Sequence, residues 1–363
     1  MQTMNATQQK TAVCFGELLL RLETKNHERL VQAREFLISY TAAEANVAVS
    51  LQHFGIPAWL VSAVPPNEIG DACINAFRAY GVNTVHVLRI GSRLGTYYLE
   101  PGAAQRPGKI IYDRAHSAIT ELRPGQVPWD AIFEGKDWFH VSGTSLALTR
   151  DVAEVCEEAC ERARANGVRV SFDINFRSTL WRWDPALSPT ELAGKTVRGI
   201  LPYVDLLITN AVQARDILGI ASEDDPNGLC TGTYIDIARR IAGESEQIGS
   251  VALTRRESVS ASHNRWGAAL YDRAKDRIAF APIVDDRYEP YEIAPMVDRI
   301  GAGDAFTAGL IRGILGENPL EDTVAFAVAA SCLKHSIPRD FNLVSEREVE
   351  ALVKGGASGH IHR

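Results

Sequence analysis

The residues best suited to chemistry stand together in the segment DRIGAGD at positions 298–304. The segment that follows, AFTAGLIRGIL, repeats apolar residues at four-residue spacing and therefore predicts a helix. Gly301 and Gly303 then lie at the helix N-terminus, where free N–H groups and the helix dipole favour an anion. Asp304 follows in the first turn, so its carboxylate would reach the same point. An anion cradle beside a carboxylate suits phosphoryl transfer, in which the carboxylate accepts the proton of an attacking hydroxyl.

Taken alone, this spacing also fits an ordinary helix that begins with an acidic residue after a glycine turn. Other segments of the chain are needed to distinguish a catalytic site from such a helix. No GxGxxG follows the first predicted strand, and no Walker A loop is present. The nine His residues show no HxH or HExxH spacing, which argues against a zinc site. Nucleotide chemistry would therefore need a different cradle from these common ones.

Composition excludes several classes of protein. The chain has 363 residues, of which 46% are hydrophobic and 23% charged, as in globular proteins. A net charge of −7 without a basic cluster argues against nucleic acid as a partner and against binding to anionic membranes. The N-terminus lacks the apolar centre of a secretion signal, and the six Cys have no CxxC pairing. We therefore expect a cytoplasmic protein with reduced, mostly buried thiols.

The elements that must position the signature alternate between strands and helices. This order predicts an α/β fold with a mostly parallel sheet covered on both faces. We expect one domain over 11–345, with loose termini at 1–10 and 355–363. The predicted strands are 13–15, 58–64, 168–175 and 204–210, and two predicted helices are 43–54 and 71–80. In a third predicted helix, Asp151 is the N-terminal cap and Asn166-Gly167 marks the end.

Two stretches, 18–40 and 94–114, depart from this alternation. They contain short extended segments separated by Gly and Pro and show no helical period. We expect them to form a small β-rich lid that excludes water from a site, although two ordinary hairpins would give the same pattern.

The signature and its companions resemble the ribokinase (PfkB) family of ATP-dependent sugar kinases. DRIGAGDAFTAG is similar to the family's D-x-x-G-A-G-D-x-F-x-x-G signature, and CFGELLLRL, AEANVAVSLQHFG, FDINFR, LLITN and SCLKHSIPRDFN follow in the family's order. The branch that the chain most resembles is 2-keto-3-deoxygluconate kinase, through YYLEPGAAQRPGKIIYDRAHSAI, FHVSGT and TRRESVSASHN. The resemblance implies a three-layer ribokinase-like sandwich with a lid.

The resemblance also implies roles for individual residues. Asp304 matches the catalytic base, and Gly301, Ala302 and Gly303 match the anion hole for the transferred phosphoryl. The substrate side would comprise Thr41, Ala42, Asn46, Tyr97, Tyr112, Arg114, Arg177 and Asp340, with Glu44 on the same helix as Asn46. ATP would be held by Asn210, Thr254, Arg256, Ser258, Gly301 and Gly303. Arg114 and Arg177 suit an acidic sugar because a guanidinium binds a carboxylate bidentately.

Three positions depart from the family pattern. Thr41-Ala42 replaces the usual Gly-Gly, so side chains narrow a site where a substrate normally meets bare backbone. Gln213 replaces the Glu of the N-x-x-E motif, which is linked to magnesium, and the lost charge should weaken cation binding. Arg339 replaces the usual Gly before Asp340 and adds bulk and charge near the sugar.

The leading hypothesis is an ATP- and Mg²⁺-dependent kinase of 2-keto-3-deoxygluconate, with a possible monovalent cation and a possible homodimer through the lid. A fructose- or nucleoside-type kinase of the same fold is the second hypothesis, because Thr41-Ala42 and Arg339 alter the sugar end. A catalytically weak sugar-binding relative is the third, because Gln213 lacks the family's charge.

Overall fold

A ten-stranded sheet forms the centre of the fold in this computed structural model, which describes residues 9–222 and 231–355. Nine strands lie side by side in the order β13-β12-β11-β10-β9-β8-β1-β4-β5, and β16 pairs with β12. These strands are β1 (Ala12–Phe15), β4 (Ala58–Val64), β5 (Asn83–Arg89), β8 (Trp138–Ser142), β9 (Arg169–Asp173), β10 (Leu206–Asn210), β11 (Ser250–Ser260), β12 (His263–Asp272), β13 (Arg277–Ala281) and β16 (Tyr291–Ile293). From β5 to β11 all pairings are parallel, and β12 is antiparallel to its three partners. The expected α/β class with a mostly parallel sheet is confirmed.

Helices cover both faces of this sheet, because consecutive residues of each strand point to opposite sides. Val13 and Phe15 belong to one core cluster, whereas Ala12 and Cys14 belong to the other. The first cluster includes residues of α3 (Trp129–Phe133), α4 (Gly143–Leu146), α5 (Arg150–Ala165), α6 (Pro189–Ile200), α7 (Ala211–Leu218) and α8 (Tyr234–Gly243). The second includes residues of α1 (Ala43–His53), α2 (Glu68–Arg78), α9 (Ala302–Leu315), α10 (Leu320–Lys334) and α11 (Glu346–Val353).

A separate four-stranded sheet occupies the two stretches that lacked helical periodicity. Its order is β3-β2-β6-β7, with β2 parallel to β6 and the outer pairings antiparallel. Its strands are β2 (Leu19–Thr24), β3 (Phe36–Thr41), β6 (Gly95–Glu100) and β7 (Lys109–Asp113). A short hairpin of β14 (Ile283–Val284) and β15 (Arg287–Tyr288) completes the strands among the described residues.

The signature helix α9 packs tightly against α10 through its glycines. A Cβ at Gly309 would lie 2.6 Å from Cα of Ala327, and one at Gly313 would lie 2.6 Å from Cγ2 of Thr323. Both positions therefore need glycine for this close approach. The two glycines of α9 thus let the backbone of α10 approach closely.

Two helix boundaries differ from their predictions because side-chain caps were missed. Helix α2 begins at Glu68, three residues before the predicted start, since the Asn67 side chain accepts a hydrogen bond from Gly70 N at 3.1 Å. The cap of α5 is Thr149, whose hydroxyl accepts from Val152 N at 3.2 Å. The prediction that Asp151 caps this helix is wrong, and Asp151 lies in its first turn.

The remaining sequence expectations concern thiols, termini and membranes. Cys156 and Cys160 are fully buried on one face of α5. The five Cys among the described residues are free thiols and four of them are buried, which agrees with the expected reduced, mostly buried thiols; Cys230 lies outside those residues. The predicted loose termini lie largely outside the described ranges, although Lys10 Nζ pairs with Asp137 at 2.9 Å. None of the helices in 9–222 and 231–355 is long and apolar enough to cross a membrane.

Candidate active site

The N-terminus of α9 is shaped by Gly301. This residue has a φ of 84° and precedes the first helical residue, Ala302. A Cβ at position 301 would overlap the backbone carbonyl of Asp340, so only glycine fits the turn. Gly303 is exposed, and a Cβ there would have no neighbour within 4 Å. The first-turn N–H groups lack intrahelical partners. That of Ala302 donates to Arg299 O at 3.4 Å, whereas the exposed backbone of Gly303 can meet an anion.

The carboxylate of Asp304 lies in the first turn of α9 and is bound by α1. Asn46 Nδ2 donates to Asp304 Oδ2 at 2.7 Å. The pKa of Asp304 is raised to about 8, because burial and the carboxylates of Asp173, Asp340 and Glu44 together outweigh the Asn46 hydrogen bond, which lowers it. A carboxyl group with a pKa near neutrality suits a general base, since it can both take and release a proton there.

Asp340 is held by three side chains of the small sheet. Arg21 donates to Asp340 Oδ1, while Thr41 Oγ1 donates to Oδ2 at 2.5 Å and Tyr97 Oη donates to Oδ2 at 3.0 Å. The Thr41 hydroxyl also lies 3.2 Å from Asn46 Oδ1. A continuous chain of polar contacts thus connects Asp304, Asn46, Thr41 and Asp340.

Arg21 joins the small sheet to the signature itself. Its side chain is fully buried, and Nη2 also bonds Asp298 at 2.8 Å and Glu23 at 2.7 Å. Asp298 in turn accepts from the backbone N of Ile300 at 2.9 Å and of Arg339 at 3.0 Å. The glycine turn, the loop that carries Asp340 and strand β2 therefore share one buried ion cluster.

Arg114 lies beside two tyrosines of the same sheet. Its guanidinium carbon is 5.5 Å from the Tyr112 ring centroid, which is 6.1 Å from that of Tyr97. Arg114 Nε donates to Glu17 Oε2 at 2.5 Å, and Ser117 binds the other oxygen of Glu17. Among the described residues, no hydrogen bond engages the two Nη groups of Arg114. Glu17 therefore orients the buried guanidinium and leaves its two Nη groups without a hydrogen-bond partner among the described residues.

A cavity of about 480 Å³ opens beside Gly303. Neither Arg177 nor Arg256 forms an ion pair with any described residue, so two unpaired guanidinium groups line the cavity together with the carboxylates of Asp173 and Asp216. Desolvation by the cavity walls, with the charges of Arg299 and Arg177, lowers the pKa of Arg256, whose side chain still reaches solvent. The predicted residues that line this cavity are Arg177, Asn210, Gln213, Thr254, Arg256, Ala302 and Gly303. A polyphosphate would match the positive charge of the two guanidinium groups.

Two predicted residues are placed apart from these contacts. Ser258 lines a different cavity, of about 740 Å³, between residues 101–108 and 295–300. Ala42 is buried and extended before α1, without a side-chain cap. Glu44, on the same helix as Asn46, is held by α4 and the strand before it: its carboxylate accepts hydrogen bonds from the backbone N–H and hydroxyl of Ser142 and from the hydroxyl of Ser145.

The described residues contain no group of three or more His, Cys, Asp or Glu side chains that could hold a metal ion. Gln213 Oε1 lies 3.3 Å from the Thr209 hydroxyl, and Asn210 Oδ1 accepts from Gln213 N at 2.9 Å. The carboxylates of Asp173 and Asp216 line the cavity. This donor set fits a Mg²⁺ ion that takes most of its ligands from phosphates and water.

Sequence reasoning missed three residues of the site. Arg21 is a charged residue within the apolar run LLLRL. A charged residue in a buried segment is usually paired, so this pattern could have indicated the ion cluster. Glu17 is recognised only through its contact with Arg114, which is 97 positions away. Asp173 ends β9 at the cavity, and burial raises its pKa to about 6. The carboxyl end of a parallel strand is a usual place for such a residue.

Known proteins resemble this chain over nearly its whole length. The sequence profile described as "pfkB family carbohydrate kinase" matches residues 9–230 and 283–336. A 2-dehydro-3-deoxygalactonokinase from Haloferax volcanii is 30% identical over 347 residues, covering 96% of this chain and 98% of that protein. A 2-dehydro-3-deoxygluconokinase from Bacillus subtilis is 24% identical over 339 residues, with 93% of each chain covered.

A solved structure is similar along its whole length. The crystal structure of a 2-dehydro-3-deoxygluconokinase from Thermotoga maritima superimposes with a TM-score of 0.87 at 38% identity. The match covers 96% of this chain and 100% of that one. The three-layer sandwich with a second small sheet is therefore shared with a protein named for phosphorylating a sugar acid.

Proposed function

Since the chain belongs to the pfkB family of carbohydrate kinases and is a sugar kinase that uses ATP, we propose that its substrate is a six-carbon 2-keto-3-deoxy sugar acid. 2-Keto-3-deoxygluconate is the form expected from the sequence, and its galacto epimer is the substrate named for one relative. The observation that carries the proposal is Arg114, a guanidinium held by Glu17 with its Nη edge free beside Tyr97 and Tyr112. Such an edge binds a carboxylate bidentately.

In the proposed reaction, Asp304 accepts the proton of a terminal sugar hydroxyl, whose oxygen attacks the γ-phosphorus of ATP. The O–P bond to the sugar forms as the bond to the β-phosphate oxygen breaks, so ADP leaves. The amides at 301–303 and the guanidinium groups of Arg177 and Arg256 stabilise the charge on the moving phosphoryl. Mg²⁺, entering with ATP, supplies further positive charge to the phosphates. A monovalent cation near the signature stays a prediction, as does a cytoplasmic location.

We also propose a homodimer through the outer face of the small sheet. A row of apolar residues crosses the four strands in register, and its end members Ile38 and Ile111 are 59% and 43% exposed. Leu22 and Tyr98 complete the row. An exposed apolar row of this kind favours association. Ile38→Asp should yield a monomer in sedimentation velocity; a wild-type monomer at micromolar concentration would contradict the dimer.

The test of the function is ADP release in a coupled assay with Mg-ATP. The panel contains 2-keto-3-deoxy sugar acids, neutral hexoses and nucleosides, and Asp304→Asn is the control. We expect turnover with the keto acids and a loss of at least about 100-fold in the variant, with nucleotide binding kept. Turnover of neutral sugars alone would contradict the sugar-acid proposal. Sugar binding without ADP release would identify a weak relative instead.

A further inference from the structure

Thr41 is the polar side chain that separates Asp340 from Asn46. It ends β3 on the inner face of the small sheet and is 2% exposed. Its hydroxyl lies 2.5 Å from Asp340 Oδ2 and 3.2 Å from Asn46 Oδ1. A hydroxyl has one hydrogen, and 2.5 Å is the length of a charge-assisted O–H···O⁻ bond. The proton of Thr41 therefore belongs to Asp340.

This bond completes the hydrogen bonding of one carboxylate oxygen. Asp340 Oδ2 already accepts from Tyr97 Oη at 3.0 Å, and Thr41 is its second donor. Arg21 occupies Oδ1. A carboxylate oxygen accepts about two hydrogen bonds. Asp340 is thus satisfied largely by the protein's own donors, and a sugar hydroxyl that approached Oδ2 would find no free lone pair.

Asn46, unlike Asp340, has a side-chain oxygen that lacks a hydrogen-bond donor. Its Nδ2 is committed to Asp304 at 2.7 Å, whereas its Oδ1 faces the Thr41 hydroxyl, which has already donated its proton. Asn46 Oδ1 and the lone pairs of Thr41 Oγ1 therefore form a pair of acceptors that lacks a donor. Because Asn46 also donates to Asp304, that pair would lie near the hydroxyl that Asp304 deprotonates in the proposed reaction. A neighbouring hydroxyl of the bound substrate would supply the missing hydrogen bond.

We propose that Thr41 is a specificity-determining residue that selects between sugar acids differing in the configuration of one hydroxyl. It shields Asp340 and directs that hydroxyl to Asn46, so the epimer whose hydroxyl points to Asp340 is rejected. The inference rests on the proposed function, and the epimers concerned are 2-keto-3-deoxygluconate and 2-keto-3-deoxygalactonate. They differ at one carbon, two positions from the terminal hydroxyl.

The test is the ratio of kcat/KM for these two acids in wild type, Thr41→Ala and the matched control Thr41→Ser. Wild type should prefer one epimer by at least about tenfold, the size of effect expected when one hydroxyl loses its partner. Thr41→Ala should bring the ratio to within about threefold of unity, because Asp340 Oδ2 becomes free to accept the other hydroxyl. Thr41→Ser, which keeps the hydroxyl, should retain the wild-type preference.

Two outcomes would overturn the inference. One is a wild-type ratio within twofold of unity, a measurement that needs no variant to fold. The other is an equal decrease of kcat/KM for both acids in Thr41→Ala, which is the result expected if Thr41 has only a structural role. Binding of both acids, measured by calorimetry with a non-hydrolysable ATP analogue, gives the same ratio without turnover. Binding with epimer preference but no turnover would therefore refute the proposed function alone.

Discussion

The hydrogen bond from Asn46 should lower the pH at which this enzyme loses activity, because it lowers the pKa of Asp304. The amide of Asn46 donates to Asp304 at 2.7 Å and thereby lowers the pKa of this buried carboxyl group, which is about 8 with the hydrogen bond in place. The substitution Asn46→Leu keeps the approximate volume of the side chain and removes the donor. A base must be deprotonated to act, so activity falls as pH drops through the pKa of Asp304.

The size of the effect follows from that one hydrogen bond. A hydrogen bond to a charged group contributes about 1.5–3 kcal/mol, and one pKa unit corresponds to about 1.4 kcal/mol. Without Asn46, the midpoint of the pH profile of kcat/KM should therefore rise by about one to two pH units. At pH 7 this is a loss of about 10- to 100-fold, and this part of the loss should return at higher pH. A further loss that does not vary with pH should come from the missing Oδ1 acceptor of Asn46.

The assay is kcat/KM for the sugar acid between pH 5.5 and pH 10, with ADP release as the signal. Ser50→Ala is the matched control, since its hydroxyl donates to the backbone carbonyl of Asn46 at 2.9 Å and leaves the amide side chain in place. Its midpoint should equal that of wild type. A uniform loss in Asn46→Leu at every pH, with an unchanged midpoint, would refute the assignment of Asp304 as the titrating base.

Three further outcomes are expected. Arg114→Ala should lower kcat/KM for the sugar acid by about 10- to 200-fold, because a charge-assisted bond is lost, and an unchanged value would exclude Arg114 as the carboxylate-binding group. Gly301→Ala should abolish turnover and lower the unfolding midpoint, since a Cβ would overlap the Asp340 carbonyl and the φ of 84° disfavours alanine; a fully active, equally stable variant would contradict this. Gln213→Glu should reduce the Mg²⁺ concentration for half-maximal activity by about fivefold, through one added charge, and no change would place the metal away from this residue.

Much of the fold was predictable because its signals are local. The alternation of strands and helices predicts the parallel sheet, and the apolar spacing after the signature predicts α9. Boundaries were less accurate where a single side chain decides them, as with Thr149 and Asn67. The chemistry of Asp304 at a helix N-terminus was likewise predictable, since the glycines and the carboxylate are adjacent in the chain.

What the sequence by itself determined was therefore the family, the fold class and the position of the proposed base. Only the tertiary structure decided what each polar side chain binds. Arg21 and Asp340 are 319 positions apart, and Thr41 and Asp340 are 299 apart, yet their contacts complete the carboxylate. The sequence predicted that Thr41 narrows the site, but the direction of its hydroxyl depends on how the small sheet meets the loop before α11. Hydrogen bonds are short and directional, so their partners are determined by packing and not by spacing along the chain.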